Sequence, residues 1–152
     1  MMKNKWMFTV VAVLALSAAA FDHAEAQTHF GVRGGFYLDQ DHGFVGAHLL
    51  NKIQRHWMFT PNFEYVFVEP GSFFTINADL HYDLPSRSNT IFYLGGGLGI
   101  AHFSYEDFDN TDVGLNLLTG ISFSRRPVIP FIQAKVTIAD DTQLILGGGL
   151  TF

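Results

Sequence analysis

Apolar and polar residues alternate with a period of two through most of this sequence, and several of the polar positions carry a charge. In residues 73–84 the apolar side chains alternate with polar ones that include Asp79, and residues 128–139 repeat the pattern with Lys135 on the polar side. This period is the spacing of a β-strand whose two faces meet different surroundings. After residue 26 no run reaches the ~20 apolar residues of a transmembrane helix. If the chain crosses a membrane, we expect it to do so with strands.

Eight strands are predicted from this alternation and from the turn residues between the runs. They cover residues 28–38, 44–50, 57–68, 73–84, 91–105, 113–124, 128–139 and 142–152. Pro61 and Pro130 fall inside two of these strands, and proline cannot donate a hydrogen bond to a strand ladder. We therefore expect those two strands to begin later or to carry bulges.

The polar faces are predicted to point into a barrel. An eight-stranded barrel has an interior only just wide enough for side chains to fill, so large apolar residues on most strands would overfill it. A basic residue turned toward lipid would cost about 2–4 kcal/mol at the middle of the bilayer. Four charged residues need the interior: Arg33, Glu64, Asp79 and Lys135. The prediction is an all-β protein, an eight-stranded antiparallel up-and-down transmembrane β-barrel.

The aromatic residues are predicted to form two girdles that bracket an apolar band, as in outer-membrane barrels. One girdle comprises Phe30, Trp57, Tyr82, Phe92, Phe123, Phe131 and Phe152. The other comprises Phe36, Phe44, Phe67, Phe73, Phe103 and Phe108.

The first 26 residues have the pattern of a cleavable signal peptide. Lys3 and Lys5 precede the apolar residues 7–21, and Ala24 and Ala26 form a small-x-small cleavage site. We expect residues 27–152 to form one mature barrel domain. The chain contains no Cys, so no disulfide stabilises that domain.

The last predicted strand, LILGGGLTF, alternates apolar residues up to Leu150 and Phe152. Together with the eight-strand pattern over residues 27–152, it resembles the small outer-membrane barrels of the OmpA and OmpX type. The resemblance implies a monomer in the outer membrane of a Gram-negative-type bacterium, in contact with outer-membrane lipids and lipopolysaccharide. It also implies that Phe152, with Leu150, is the signal read by the barrel assembly machinery.

The four interior charges are predicted to form an ion-pair network across the lumen. Arg33 and Lys135 lie on the strands that flank the last one, where Gly147 and Gly149 point inward and leave room for long side chains. Glu64 and Asp79 lie on the opposite wall. The network is expected to be surrounded by His48, His81, Asn62, Asn77, Asn116 and Gln133. Two interpretations are open: a packed polar plug that satisfies its own charges, or a narrow wet passage whose ion pairs can open.

Charge is distributed unevenly along the predicted barrel axis. The connections assigned to the outside contain no Lys or Arg. Their charged residues are all acids: Asp39, Asp41, Glu69, Glu106, Asp107, Asp109, Asp112, Asp140 and Asp141. The opposite turns contain Lys52, Arg55, Arg87, Arg125 and Arg126, with Asp83 as the one acid. Calcium or magnesium at Glu106, Asp107, Asp109 and Asp112 is one hypothesis, since carboxylates are hard-cation ligands. Solvated charge that keeps short loops soluble is the alternative, because the stretch lacks the Gly and distal Glu of a calcium loop.

One short motif could carry catalysis. His102 and Ser104 share a strand face, as a nucleophile and its base must, and Glu106 follows them. The pair resembles the His-x-Ser of outer-membrane lipid A deacylases, but Tyr105 stands where that motif has Asn. The glycine run at residues 93–100 is not followed by the helix of a phosphate-binding loop.

The sequence therefore favours a protein with a structural or envelope-interaction role. It is expected to have no catalytic residues, no cofactor and no nucleic-acid partner. A narrow gated pore for ions or small solutes is the first alternative, and a lipid A acyl hydrolase is the second.

Overall fold

The computed structural model describes residues 27–123 and 127–152 of the chain. These residues form eight strands: β1 (Thr28–Tyr37), β2 (His42–Lys52), β3 (Trp57–Val66), β4 (Ser72–Asp83), β5 (Thr90–Tyr105), β6 (Phe108–Phe123), β7 (Ile129–Ile138) and β8 (Thr142–Thr151). In this part of the chain, no helix has the length and apolar character needed to cross a membrane. The predicted signal peptide, and Arg125 and Arg126, lie outside the described residues.

The strands form a closed antiparallel barrel in chain order. Each strand pairs with the next, and β1 closes the ring by pairing with β8, for example at Arg33 and Gly149. Closure leaves no unpaired sheet edge, so all eight strands can satisfy their backbone groups within the ring. The predicted fold class is confirmed.

The even number of antiparallel strands places the beginning of β1 and the end of β8 at the same end of the barrel. We call this the termini end. The connections 38–41, 67–71, 106–107 and 139–141 lie at the other end, which we call the acidic end. Three residues in these connections have positive φ: Asp41, Gly71 and Glu106. Glycine adopts this conformation without steric cost, which favours it at position 71.

The start of β6 differs from the prediction by five residues. It was expected at residue 113, but the strand begins at Phe108, which pairs with Tyr105 across a turn of two residues. The sequence pattern misses this extension because both faces of a strand can be polar where it projects beyond the apolar band. Residues 109–112 are therefore strand rather than loop.

The two prolines are accommodated without bulges. Pro61 lies inside β3 and pairs with Ala78 of β4. On the side of Pro61 that faces β2, the strand pairing is interrupted between the pairs His48–Asn62 and Asn51–Phe59. The register is the same before and after this interruption, so the strand carries no bulge there. Pro130 lies near the beginning of β7, outside the ladder to β6. That strand begins at Ile129, one residue later than predicted.

The barrel has a polar interior and an apolar exterior, as predicted. Glu64 and Asn116 are fully buried and Lys135 is 2% exposed, whereas Leu98 is 61% and Val113 is 67% exposed on the outer wall. A water-soluble barrel would show the opposite distribution. The exterior therefore matches a hydrocarbon environment, and the interior holds the charges.

The girdle prediction was wrong for several aromatic residues. Phe44 and Phe73 are buried in the lumen, where they pack with Tyr37, Val66 and Ile145, and Phe103 packs against this cluster. Phe131 also points inward, since its ring contacts that of His48. These residues were assigned by their distance from the strand ends, but side-chain direction depends on strand parity and register. Trp57 and Tyr82 do form an edge-to-face pair on the outer wall.

Candidate functional site: a polar plug between two cavities

Glu64 is the centre of the lumen network. Its Oε1 lies 3.1 Å from Lys135 Nζ and 3.3 Å from Arg33 Nε. Its Oε2 accepts hydrogen bonds from the hydroxyls of Tyr37 (3.2 Å) and Thr75 (3.3 Å). One carboxylate thus joins side chains from β1, β3, β4 and β7 across the lumen.

Asp79 is satisfied in a different way. Its two oxygens accept hydrogen bonds from the side-chain amides of Asn62 and Asn116, both at 2.9 Å. Asn77 links these amides by donating to Asn62 and accepting from Asn116, and Thr137 donates to Asn116. Within the described residues no cation pairs with Asp79.

The structure therefore brings the four predicted residues into one plug, but with unequal roles. Arg33 and Lys135 both pair with Glu64, while Asp79 is held by amides. The plug also contains three residues that were not predicted as members: Tyr37, Thr75 and Thr137. All three lie at inward positions on their strands, and this parity is the signal that could have identified them.

Glycines on β5 make the plug possible. Gly97 and Gly99 point inward opposite Asp79 and Asn77. A Cβ on Gly97 would collide with the Asp79 carboxylate, and one on Gly99 would collide with the Asn77 side chain. The glycine run at residues 93–100 therefore provides space for the polar side chains of β4.

The glycines of β8 have a different neighbour from the one predicted. Ideal Cβ positions on Gly147 and Gly149 would lie 3.0 Å from ring atoms of Phe44 and Phe131, respectively. The space that they leave beside β8 is thus bordered by aromatic rings. The prediction that these glycines point inward is correct, but the side chains nearest to them are these rings rather than the two long cations, and backbone atoms of β1 are also close.

The plug separates two cavities. The larger, about 680 Å³, lies at the termini end and has Arg33, His48 and His81 among its lining residues. The smaller, about 410 Å³, lies at the acidic end and has Tyr37, Thr75 and Lys135 among its lining residues. Arg33 lines the larger cavity and Lys135 lines the smaller one, and both pair with Glu64, so the contacts of Glu64 lie between the two cavities.

The four acids of the metal hypothesis lie around the β5–β6 hairpin. Glu106 and Asp107 form the turn, while Asp109 and Asp112 lie on β6 at positions of opposite parity. Asp109 accepts a hydrogen bond from Ser104 at 2.8 Å. No group of three or more metal-ligating side chains comes together in the described part of the chain. Divalent-cation binding at this hairpin stays a prediction.

His102 and Ser104 lie on β5 but engage different partners. Ser104 donates to Asp109, while His102 Nδ1 lies 2.8 Å from the Thr111 hydroxyl. Asp109 and Thr111 are the residues of β6 that lie directly across from Ser104 and His102, respectively. The structure therefore shows no hydrogen bond between the two residues that a Ser–His pair would need.

Comparison with known proteins supports the fold. No protein-family model and no curated protein match the sequence. The N-terminal β-barrel domain of OprF from Pseudomonas aeruginosa superposes with a TM-score of 0.71 at 11% identity, over 84% of this chain and 98% of that one. The fold is that of the small outer-membrane barrels.

Two further solved structures show how widely this fold is used. Ail of Yersinia pestis, the attachment invasion locus protein, was solved with the heparin analogue sucrose octasulfate. It superposes with a TM-score of 0.55 at 18% identity, over 85% of this chain and all of that one. The outer-membrane enzyme PagL gives 0.55 at 11% identity, over 83% and 99%. At such identities the likeness concerns the fold and not the role.

Proposed function

We propose that this protein is an integral barrel of the outer membrane of a Gram-negative-type bacterium, with a structural or envelope-interaction role and no catalytic activity. The observation that carries this proposal is the plug. Glu64 is fully buried, and it binds two cations and two hydroxyls that come from three other strands, β1, β4 and β7. A lumen closed by such a network of buried contacts stiffens the barrel and leaves the outer wall and rims as the functional surfaces.

The proposed partners follow from those surfaces. Outer-membrane lipids would cover the apolar wall, where Leu98, Val113 and Ile132 are exposed. Lipopolysaccharide would lie around the acidic end, with divalent cations between its phosphates and the carboxylates. The barrel assembly machinery would bind β8 and the residue that follows it, since Leu150 and Phe152 are exposed there. We propose that the barrel is a monomer, since closure leaves no strand edge free for a second copy.

The absence of catalysis is part of the proposal. The hydroxyl of Ser104 already donates to a carboxylate rather than to His102. A serine hydrolase needs its hydroxyl to donate to the base that activates it. An ester-cleavage assay with purified lipid A tests this point, and release of fatty acid that Ser104→Ala abolishes would contradict the proposal.

A gated passage for ions or small solutes is the second candidate function. It is favoured by the two cavities, which reach the same layer of side chains from opposite ends. Moving Glu64 away from Arg33 and Lys135 would remove the contacts that join β1 and β7 to β3. A passage could open at this layer alone.

Single-channel conductance in a planar bilayer distinguishes the two functions. A closed plug predicts no discrete openings from the refolded wild type. Openings in the wild type that Glu64→Gln or Asp79→Asn alters would favour the passage. The matched control is Asp140→Asn, which removes one negative charge from an exposed turn outside the plug. An equal response to the control would show that the current does not report on the plug.

A further inference from the structure

The two cavities differ sharply in charge. Among the described residues that line the cavity at the termini end, three are basic, Arg33, Lys52 and Arg55, and one is an acid, Asp83. The cavity at the acidic end has the opposite balance, with one basic residue and three acids: Lys135, Glu69, Asp112 and Asp141. The plug therefore separates a cationic chamber from an acidic one.

The cationic chamber has its charges distributed from mouth to floor. Lys52 and Arg55 are exposed at the mouth, and Arg33 is buried at the floor. Four histidines line the space between and around them: His29, His48, His56 and His81. Asp83 Oδ1 lies 3.5 Å from His81 Nε2, so this acid already has a local partner.

The floor contains hydrogen-bonding capacity that the protein does not use. Among the described residues, His48 Nδ1, Thr60 Oγ1 and Arg33 Nε are buried without a hydrogen bond. Arg33 Nε does lie 3.3 Å from Glu64, but the geometry is not that of a hydrogen bond. Unpaired buried polar atoms are rare and costly in native proteins. All three residues belong to the chamber lining, and each is at least nine-tenths buried.

We infer that this chamber is a binding site for small soluble anions of the phosphate and diphosphate type. Arginine and lysine at the mouth would attract the anion, and arginine, histidine and threonine at the floor would supply hydrogen-bond donors. The volume of about 680 Å³ is in the range of small-molecule sites. Because the barrel wall surrounds the chamber, a free anion fits it better than a lipid headgroup outside the barrel.

Isothermal titration with sodium pyrophosphate tests this inference on the refolded mature chain in an uncharged detergent. We expect saturable binding that the double change Lys52→Gln and Arg55→Gln weakens about tenfold or more. The matched control is Arg87→Gln, which removes a positive charge at the same end from a residue outside the chamber lining. Absence of binding, or an equal loss in the control, would overturn the inference.

Histidine resonances locate the bound anion. We expect pyrophosphate to shift the ring signals of His48 and His81, while His42 and His102 near the acidic end keep theirs. Shifts of the second pair alone would place binding elsewhere. A parallel titration with a short-chain phosphatidic acid separates the two sources of phosphate, and a response to the lipid but not to pyrophosphate would contradict a soluble ligand.

Discussion

Replacing Glu64 with Gln should destabilise the barrel more than any other single change of a plug charge. The carboxylate is fully buried and lies within 3.3 Å of both Arg33 and Lys135. The amide would leave these two buried cations without a counter-charge in direct contact. Breaking a buried ion pair by removing one partner costs about 3–5 kcal/mol. This is a large part of the ~5–15 kcal/mol by which a typical domain is stable.

The matched comparison is Asp79→Asn. Asp79 has no cation beside it in the described part of the chain, and its oxygens accept from two amides. The substitution replaces one acceptor oxygen by a donor, and an unsatisfied buried polar group costs about 1–3 kcal/mol. The smaller effect should therefore come from Asp79, although both residues are buried acids in the same plug.

Urea unfolding in detergent measures both effects, with Trp57 fluorescence and the mobility of unheated samples on gels as independent readouts. The double change Glu64→Gln and Lys135→Gln supplies a thermodynamic cycle. It should be no less stable than Glu64→Gln alone, since it removes one of the unpaired cations. Equal losses for Glu64→Gln and Asp79→Asn, or additive effects in the cycle, would refute the central role of Glu64.

Three further changes test other parts of the structure. Gly97→Ala should lower the free energy of unfolding by about 1–3 kcal/mol through overpacking, because the added Cβ would collide with Asp79. The control is Gly43→Ala, whose Cβ would make only ordinary contacts. Equal losses in the two variants would contradict this explanation. Phe152→Ala should slow insertion into proteoliposomes that contain the assembly machinery while leaving spontaneous refolding in detergent unchanged, and equal slowing in both would argue against a recognition role. Calcium titration should give saturable heat that Asp107→Asn and Asp109→Asn reduce and Asp39→Asn does not, and no heat at millimolar Ca²⁺ would end the cation hypothesis.

The architecture could be predicted from the sequence because strand alternation is a local property. Inward charges such as Glu64 and outward residues such as Leu98 follow directly from parity, and the chain order of an up-and-down barrel leaves little freedom in pairing. The end of β5 at Tyr105 was predicted correctly, but the beginning of β6 was not, since the rim is polar on both faces and the apolar signal vanishes there. The aromatic residues near the ends were misassigned for a related reason, because distance from a strand end does not determine which wall a ring faces.

The sequence by itself determined that the polar and charged faces of the strands line the lumen, since period two and the cost of charge in lipid allow only one orientation of the strands. Only the tertiary structure decided how those side chains are paired. Glu64 pairs with both cations, and Asp79 accepts hydrogen bonds from amides. The reason is that barrel closure sets which inward positions lie at the same height across the lumen. The uneven charge at the two ends was predicted from the sequence, but the two chambers and the residues that line them appear only in the tertiary structure, since residues far apart in the sequence meet only when the ring closes.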